Sequence, residues 1–181
     1  MKWLTLLLAF VRSPATAAPI PGTDLAPGEL LTNRSFELDA NGDGAADGWG
    51  VANWDGAAKG ETDRQVVHSG ARSARLTGAP GSRAGAYVAF SPEVTDPNAV
   101  YVLSAWVKIE GTSAHEYRTS ARITSVDAKD QVLKSDYRLC DEGPHDWRRY
   151  EWTIWLPPET VRFNLVLFHH GEGTAWWDDA S

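Results

Sequence analysis

Apolar and polar residues alternate with a period of two in short runs along this chain, and no ten-residue window carries a helical stripe. Gly85 to Ser91 (GAYVAFS) is one such run. In Val100 to Ile109 (VYVLSAWVKI), Tyr101, Leu103, Ala105 and Val107 fall on one face and Val102, Ser104, Trp106 and Lys108 on the other. Ser120 to Val126 and Gln131 to Leu139 flank Asp127-Ala-Lys-Asp130, which predicts a strand pair joined by a turn. Arg149 to Leu156 and Val161 to His169 are two further strands separated by Pro157-Pro158, and a last strand begins at Thr174. Gly, Pro, Asn and Asp clusters divide these runs, so the pattern predicts an all-β chain of seven or eight strands. Two packed antiparallel sheets, a jelly roll or related sandwich, are the expected architecture.

Before the strands, Lys2 precedes an apolar run from Trp3 to Val11, and Ala15-Thr16-Ala17 offers small residues at a cleavage site. Residues 1–17 therefore read as a secretory signal peptide and 18–28 as a Pro/Gly/Ala-rich leader, ahead of one domain over 29–181. The run closes at Arg12, far short of the roughly 20 residues a bilayer span needs, which argues against membrane insertion. Cleavage removes Lys2 and Arg12 and no acid, taking the formal charge from −7 to −9. Such a balance disfavours nucleic acid and anionic membrane surfaces. The single cysteine, Cys140, has no disulfide partner in the chain and reads as a small buried hydrophobe. The closing TAWWDDAS run reaches Ser181 without an apolar continuation, and the expectation is a linked downstream domain in a longer secreted protein.

Between Asn33 and Trp49 the chain places Asp39, Asn41, Asp43 and Asp47 at positions 1, 3, 5 and 9 of a D-x-N-x-D-G-x-x-D run, with Gly44 at the sharp turn. This is oxygen-rich chemistry suited to calcium. The bidentate Glu of a complete helix-flanked loop is missing, since Gly50 stands at position 12, and a solvated polar loop explains the same residues.

Six segments carry a family likeness: Asn33-x-Ser35-Phe36-Glu37, Asp47-Gly48-Trp49, His68-Ser69-Gly70-x-x-Ser73-x-x-Leu76, Tyr101-x-Leu103-Ser104-x-Trp106-Val107-Lys108, Asp146-Trp147-x-x-Tyr150 and Trp176-Trp177-Asp178-Asp179. In this order they resemble the carbohydrate-binding modules of families four, nine and twenty-two, within the galactose-binding-domain-like jelly rolls. The resemblance implies a β-sandwich that commonly holds a structural calcium ion and often binds a glycan on a concave face or at loop tips. Carried over, the calcium ligands are Glu37 and Asp178, with Asp179 the weaker candidate because it alternates to the other face. The Asp39 to Asp47 loop then contributes to that site or holds a second ion. Exposed strand-end acids are the alternative reading of Glu37 and Asp178.

Nine tryptophans raise the question of which rings serve the core and which stack on sugar. Trp49 and Trp147 are expected as packing anchors, and Trp176 or Trp177 must face inward. Trp155 lies opposite the apolar face of its strand and becomes a ligand candidate, with Arg162 and Asn164 as polar contacts from the next strand. Trp54 and Tyr117 are candidates for the rim of such a groove. The leading expectation is a non-catalytic, monomeric module that holds a secreted carbohydrate-active enzyme near a neutral or cationic polysaccharide. A structural spacer without sugar binding is the first alternative. A jelly-roll lyase using His115, Tyr117, Arg118 and Arg122, or a hydrolase for which no carboxylate pair is recognisable, is the second.

Overall fold

Alternating runs of this kind can bury only one face each, so they pair into sheets that cover one another. The computed structural model describes residues 28–53, 58–80, 85–90, 94, 96, 98–111 and 116–181. Trp54, His115, the signal-peptide reading and all but the last residue of the leader lie outside the described residues. The strands are β1 (Trp49–Asn53), β2 (Lys59–Asp63), β3 (Ser73–Gly78), β4 (Gly85–Phe90), β5 (Tyr101–Glu110), β6 (Thr119–Val126), β7 (Val132–Leu139), β8 (His145–Ile154), β9 (Arg162–His169) and β10 (Gly173–Asp178). They form a front sheet in the order β1-β4-β9-β6-β7 and a back sheet in the order β2-β3-β10-β5-β8. Every pairing is antiparallel. The all-β sandwich is the expected class, and no helix among the described residues is long and apolar enough to cross a membrane.

Ten strands stand where the alternation counted seven or eight. The additional ones, β1 to β3, are short; β2 (KGETD) is an edge strand without an apolar residue. β8 begins at His145, four residues before the expected Arg149. Its polar start pairs with β5 through a register shift between Val107 and Ile109. The Asp127 to Asp130 turn forms as read: Asp127 Oδ1 accepts the amides of Lys129 and Gln131, and Asp130 takes φ +64°.

Between the sheets lie Leu76, Leu103, Val107, Ile123, Leu165, Leu167 and Trp177, all buried, as alternation on β5 and β9 requires. Phe36 and Trp49 close one side of this core with ring centroids 4.8 Å apart. The sequence around them explains the fit. The Asn33 amide donates to the carbonyls of Leu38 and Asp47, both at 2.9 Å, and its Oδ1 accepts the Leu38 N–H. Trp49 Nε1 returns a hydrogen bond to the Asn33 carbonyl at 3.1 Å. One side chain thus pins the Asn33 and Asp47-Gly48-Trp49 segments together, which satisfies buried backbone groups far from any ladder.

Trp147 is not a core anchor. It sits half-buried on the outer face of the back sheet, with its ring 5.6 Å from that of His68, because alternation along β8 puts it with Arg149 and Glu151, opposite the core-facing Tyr150, Trp152 and Ile154. Both Trp176 and Trp177 are buried, but only Trp177 faces the core. Trp176 is covered from outside by Arg75 and donates Nε1 to Asp63 at 2.8 Å.

Candidate functional site

Alternation on the front sheet decides which side chains reach its outer face. Ala121 and Ile123 of β6 enter the core, so Arg122 and Thr124 point outward; Leu165 and Leu167 of β9 enter it, so Asn164, Val166 and Phe168 point outward. Strand β6 lies between β7 and β9 and brings Arg122 opposite Tyr137 on one side and Val166 on the other. Tyr117, just before β6, stacks on Tyr137 with centroids 4.3 Å apart. Phe168 stacks on His170 at 5.0 Å, and the Arg122 guanidinium lies 5.1 Å from the Phe168 centroid and 6.0 Å from that of Tyr137. Phe168 and His170 are buried beneath this assembly, and the two tyrosines are half-buried above it.

The result is an outward aromatic platform with a cation held against its rings, bordered by Thr124 and Ser135, whose hydroxyls hydrogen-bond at 3.1 Å. The Glu116 carboxylate beside Tyr117 pushes that phenol above its ordinary value. Tyr117 is therefore a neutral hydrogen-bonding group at any physiological pH. Flat π surface beside neutral donors is the chemistry that stacks on the C–H face of a sugar ring.

Of the residues expected to bind ligand, Tyr117 belongs to this platform and half-buried Asn164 lies on the same face, opposite Thr124. Arg162 continues the face to its far corner, where it pairs with Asp130. Trp155 is 61% exposed but follows β8 in the other sheet, so the structure does not bring it together with Tyr117 and Asn164. Of the polar set for proton abstraction, Arg118 donates to the Cys140 carbonyl and pairs with Glu142, while Arg122 lies against the rings. Tyr137, Phe168 and His170 went unrecognised in the sequence. For Phe168 and His170 the signal was the outward register of β9, on which Asn164 had already been placed, whereas Tyr137 lies on β7 and reaches the cluster through its pairing with Arg122.

The carboxylates expected to hold calcium gather around the 68–72 loop. Glu37 Oε1 accepts the amides of Ala71 at 2.8 Å and Arg72 at 3.1 Å. Asp178, fully buried, accepts the amides of His68 at 2.9 Å, Ser69 at 3.1 Å and Asp179 at 2.8 Å. Burial pushes the Asp178 carboxyl up to about 6 against the pull of those amides. Among the described residues no lysine or arginine reaches it. A buried carboxylate held by amide dipoles, with the Asp179 carboxylate beside it and no cationic side chain reaching it among the described residues, is a donor that fits a cation. The described residues gather three possible ligands within 4.8 Å at one place, His68, Asp178 and Asp179, with Glu37 outside that cluster.

The Asp39 to Asp47 loop is arranged differently. Asp39 pairs with Arg72 at 3.0 Å, and that guanidinium holds its carboxyl below the ordinary range. Asn41 Oδ1, Asp43 Oδ1 and Asp47 Oδ2 accept the amides of Asp43, Ala45 and Ala40. The loop thus closes on its own backbone, and its carboxylates do not gather into a cluster of the kind at His68.

No family model matches the sequence, and no curated protein matches it. Solved structures do resemble the fold. The enzymatically active domain of bacteriophage CBA120 tailspike protein 4 superimposes with a TM-score of 0.64 at 16% identity over 83% of this chain, and this chain spans only 20% of that one. A family 16 carbohydrate-binding module matches with a TM-score of 0.57 at 18% identity, over 84% of this chain and 98% of that one. The CBM22-1 xylan-binding domain from Paenibacillus barcinonensis Xyn10C matches with a TM-score of 0.54 at 14% identity, over 81% of this chain and 88% of that one. At these identities the likeness is one of fold: this chain shares the two-sheet antiparallel β-sandwich of those solved structures.

Proposed function

We propose that this chain is a non-catalytic polysaccharide-binding module and that the outer face of the front sheet is its sugar platform. The observation that carries the reading is the Tyr117–Tyr137 stack, held at the surface by Arg122 over Phe168. The likeness to a solved family 16 carbohydrate-binding module and a solved xylan-binding domain supports it at the level of fold. Neutral glycan is the expected ligand, since the formal charge of −7 disfavours anionic polymers and the local cation is already held against aromatic rings. A monomer linked to a secreted carbohydrate-active enzyme fits this reading, because stacking and a few hydrogen bonds give weak affinity that tethering makes useful. Calcium is given a structural role at Asp178, with Asp179 as the neighbouring carboxylate; bound there it would supply positive charge to a buried carboxylate.

Affinity electrophoresis against a panel of soluble polysaccharides tests the platform. Wild type should be retarded by one glycan class, Tyr137→Ala should lose that retardation, and Trp155→Ala should keep it. Loss with Trp155→Ala alone would move the site to the back sheet, and a folded protein retarded by no glycan would favour a structural spacer.

A further inference from the structure

The outer face of the back sheet looks away from the tyrosine platform and carries two indoles of its own. Trp106 lies on β5 between the core residues Ala105 and Val107, so it points outward, and Trp147 stands on neighbouring β8. Both rings are half-buried. His68, from the loop between β2 and β3, holds them. Its imidazole stacks on Trp106 with centroids 3.9 Å apart and planes at 17°, and it meets the Trp147 ring edge-on at 5.6 Å and 63°. The imidazole is itself fixed, because Nδ1 lies 2.8 Å from Asp179 Oδ2 and the His68 N–H donates to Asp178 at 2.9 Å. Rings set in this way have little rotamer freedom left to lose when a ligand arrives.

Their polar groups face outward as well. Trp49 and Trp176 give their indole N–H to Asn33 and Asp63. Those of Trp106 and Trp147 have no protein acceptor among the described residues, and both nitrogens reach solvent. Each side chain therefore offers a π surface and a free donor together. The bordering charges are matched at close range: Lys108 lies 3.3 Å from Asp146 and 3.6 Å from Glu110, and Arg149 lies 3.0 Å from Glu151. A surface balanced in this way gives an ionic ligand no net attraction. Flat aromatic area with outward donors instead fits the C–H face and hydroxyls of a neutral sugar.

We infer that His68, Trp106 and Trp147 form a second glycan subsite, for a short stretch of neutral polysaccharide, on the face opposite the tyrosine platform. The inference rests on the reading of this chain as a polysaccharide-binding module. Two rings contact little of a chain, so the affinity for a free oligosaccharide falls in the millimolar range, and the larger front platform governs retardation in a gel. Because the two faces look in opposite directions, they hold separate chains, and the module bridges them with the second attachment strengthened by the first.

The test follows the indole N–H signals of the full chain by nuclear magnetic resonance during titration with millimolar xylotriose, cellotriose and mannotriose. At least one sugar should shift the Trp106 and Trp147 signals saturably, and equally in wild type and Tyr137→Ala, while the Trp176 signal, held by Asp63, stays in place. Trp147→Ala should weaken the binding seen at Trp106 by at least ~10-fold and leave wild-type retardation in the affinity gel. Unmoved Trp106 and Trp147 signals with all three sugars, in a protein that the gel retards, would overturn the second subsite and leave the front platform standing. Shifts that vanish in Tyr137→Ala would overturn it too, as a distant response to the front platform. A folded protein neither retarded nor shifted would overturn both readings.

Discussion

His169 is fully buried, with Nδ1 2.9 Å from the Thr119 hydroxyl, and burial pushes its pKa down from 6.5 to about 4 although the Glu172 carbonyl pulls slightly upward. The unfolded chain therefore binds a proton at this residue well before the folded protein does. The stability it contributes is fully present above pH 6.5 and is lost as pH falls toward 4. That gap corresponds to ~3 kcal/mol, or roughly 6–12 °C in Tm for a domain of this size. Asp178 acts in the opposite sense: its folded pKa of about 6 lies above the ordinary 3.8, so its contribution is present at low pH and lost as pH rises through 6. The two slopes oppose each other between pH 4 and 6, and wild type alone would hide both. His169→Gln, which keeps a donor for Thr119, isolates the first. Urea unfolding of wild type and variant, in EDTA from pH 7.5 to 4, should show their stability difference shrinking by ~3 kcal/mol as pH falls. Parallel curves would refute the buried neutral imidazole.

Gly70 takes φ +63°, and an added Cβ would stand 2.1 Å from Glu37 Oε1. Gly70→Ala should destabilise by ~3 kcal/mol, from left-handed strain and from prising Glu37 off two amides, as read by chemical denaturation. Calcium bound at Asp178 and held a hundredfold above its Kd would add about 2.7 kcal/mol by mass action, so EDTA should lower Tm in wild type and leave Asp178→Asn unmoved. Cys140 is buried and its thiol is pushed far above the ordinary value. A thiol reagent at pH 8 should label it only in denaturant, and fast labelling of the folded protein would place it at the surface.

The strands that could be read from the sequence are those whose two faces meet different media. β5 announced its register because core residues alternate with exposed ones along its length. β2 gave no such contrast, since an edge strand of KGETD owes its place to pairing with β3. The site followed a similar divide. Asn164 could be placed by local alternation and Tyr117 only as a rim candidate, whereas the ring cluster with Tyr137, Phe168 and His170 exists only because β6 pairs on both sides. His68 and Asp178 stand 110 residues apart in sequence, and no spacing rule links them. Trp147 misled because a motif position was read as a core position, although it shares the outward parity of Arg149 and Glu151 on β8.

The strand order has a consequence for how the molecule comes into being. β9 and β10 are late in the chain, yet each occupies the centre of its sheet, β9 between β4 and β6 and β10 between β3 and β5. During synthesis neither sheet can close before these strands leave the ribosome, and the earlier strands wait with unpaired edges. Such non-local pairing is the slow kind and the kind exposed to aggregation. The charged edge strands β2 and β7, with Lys59, Glu61, Lys134 and Asp136, then act as guards for a nascent chain whose interior is completed last.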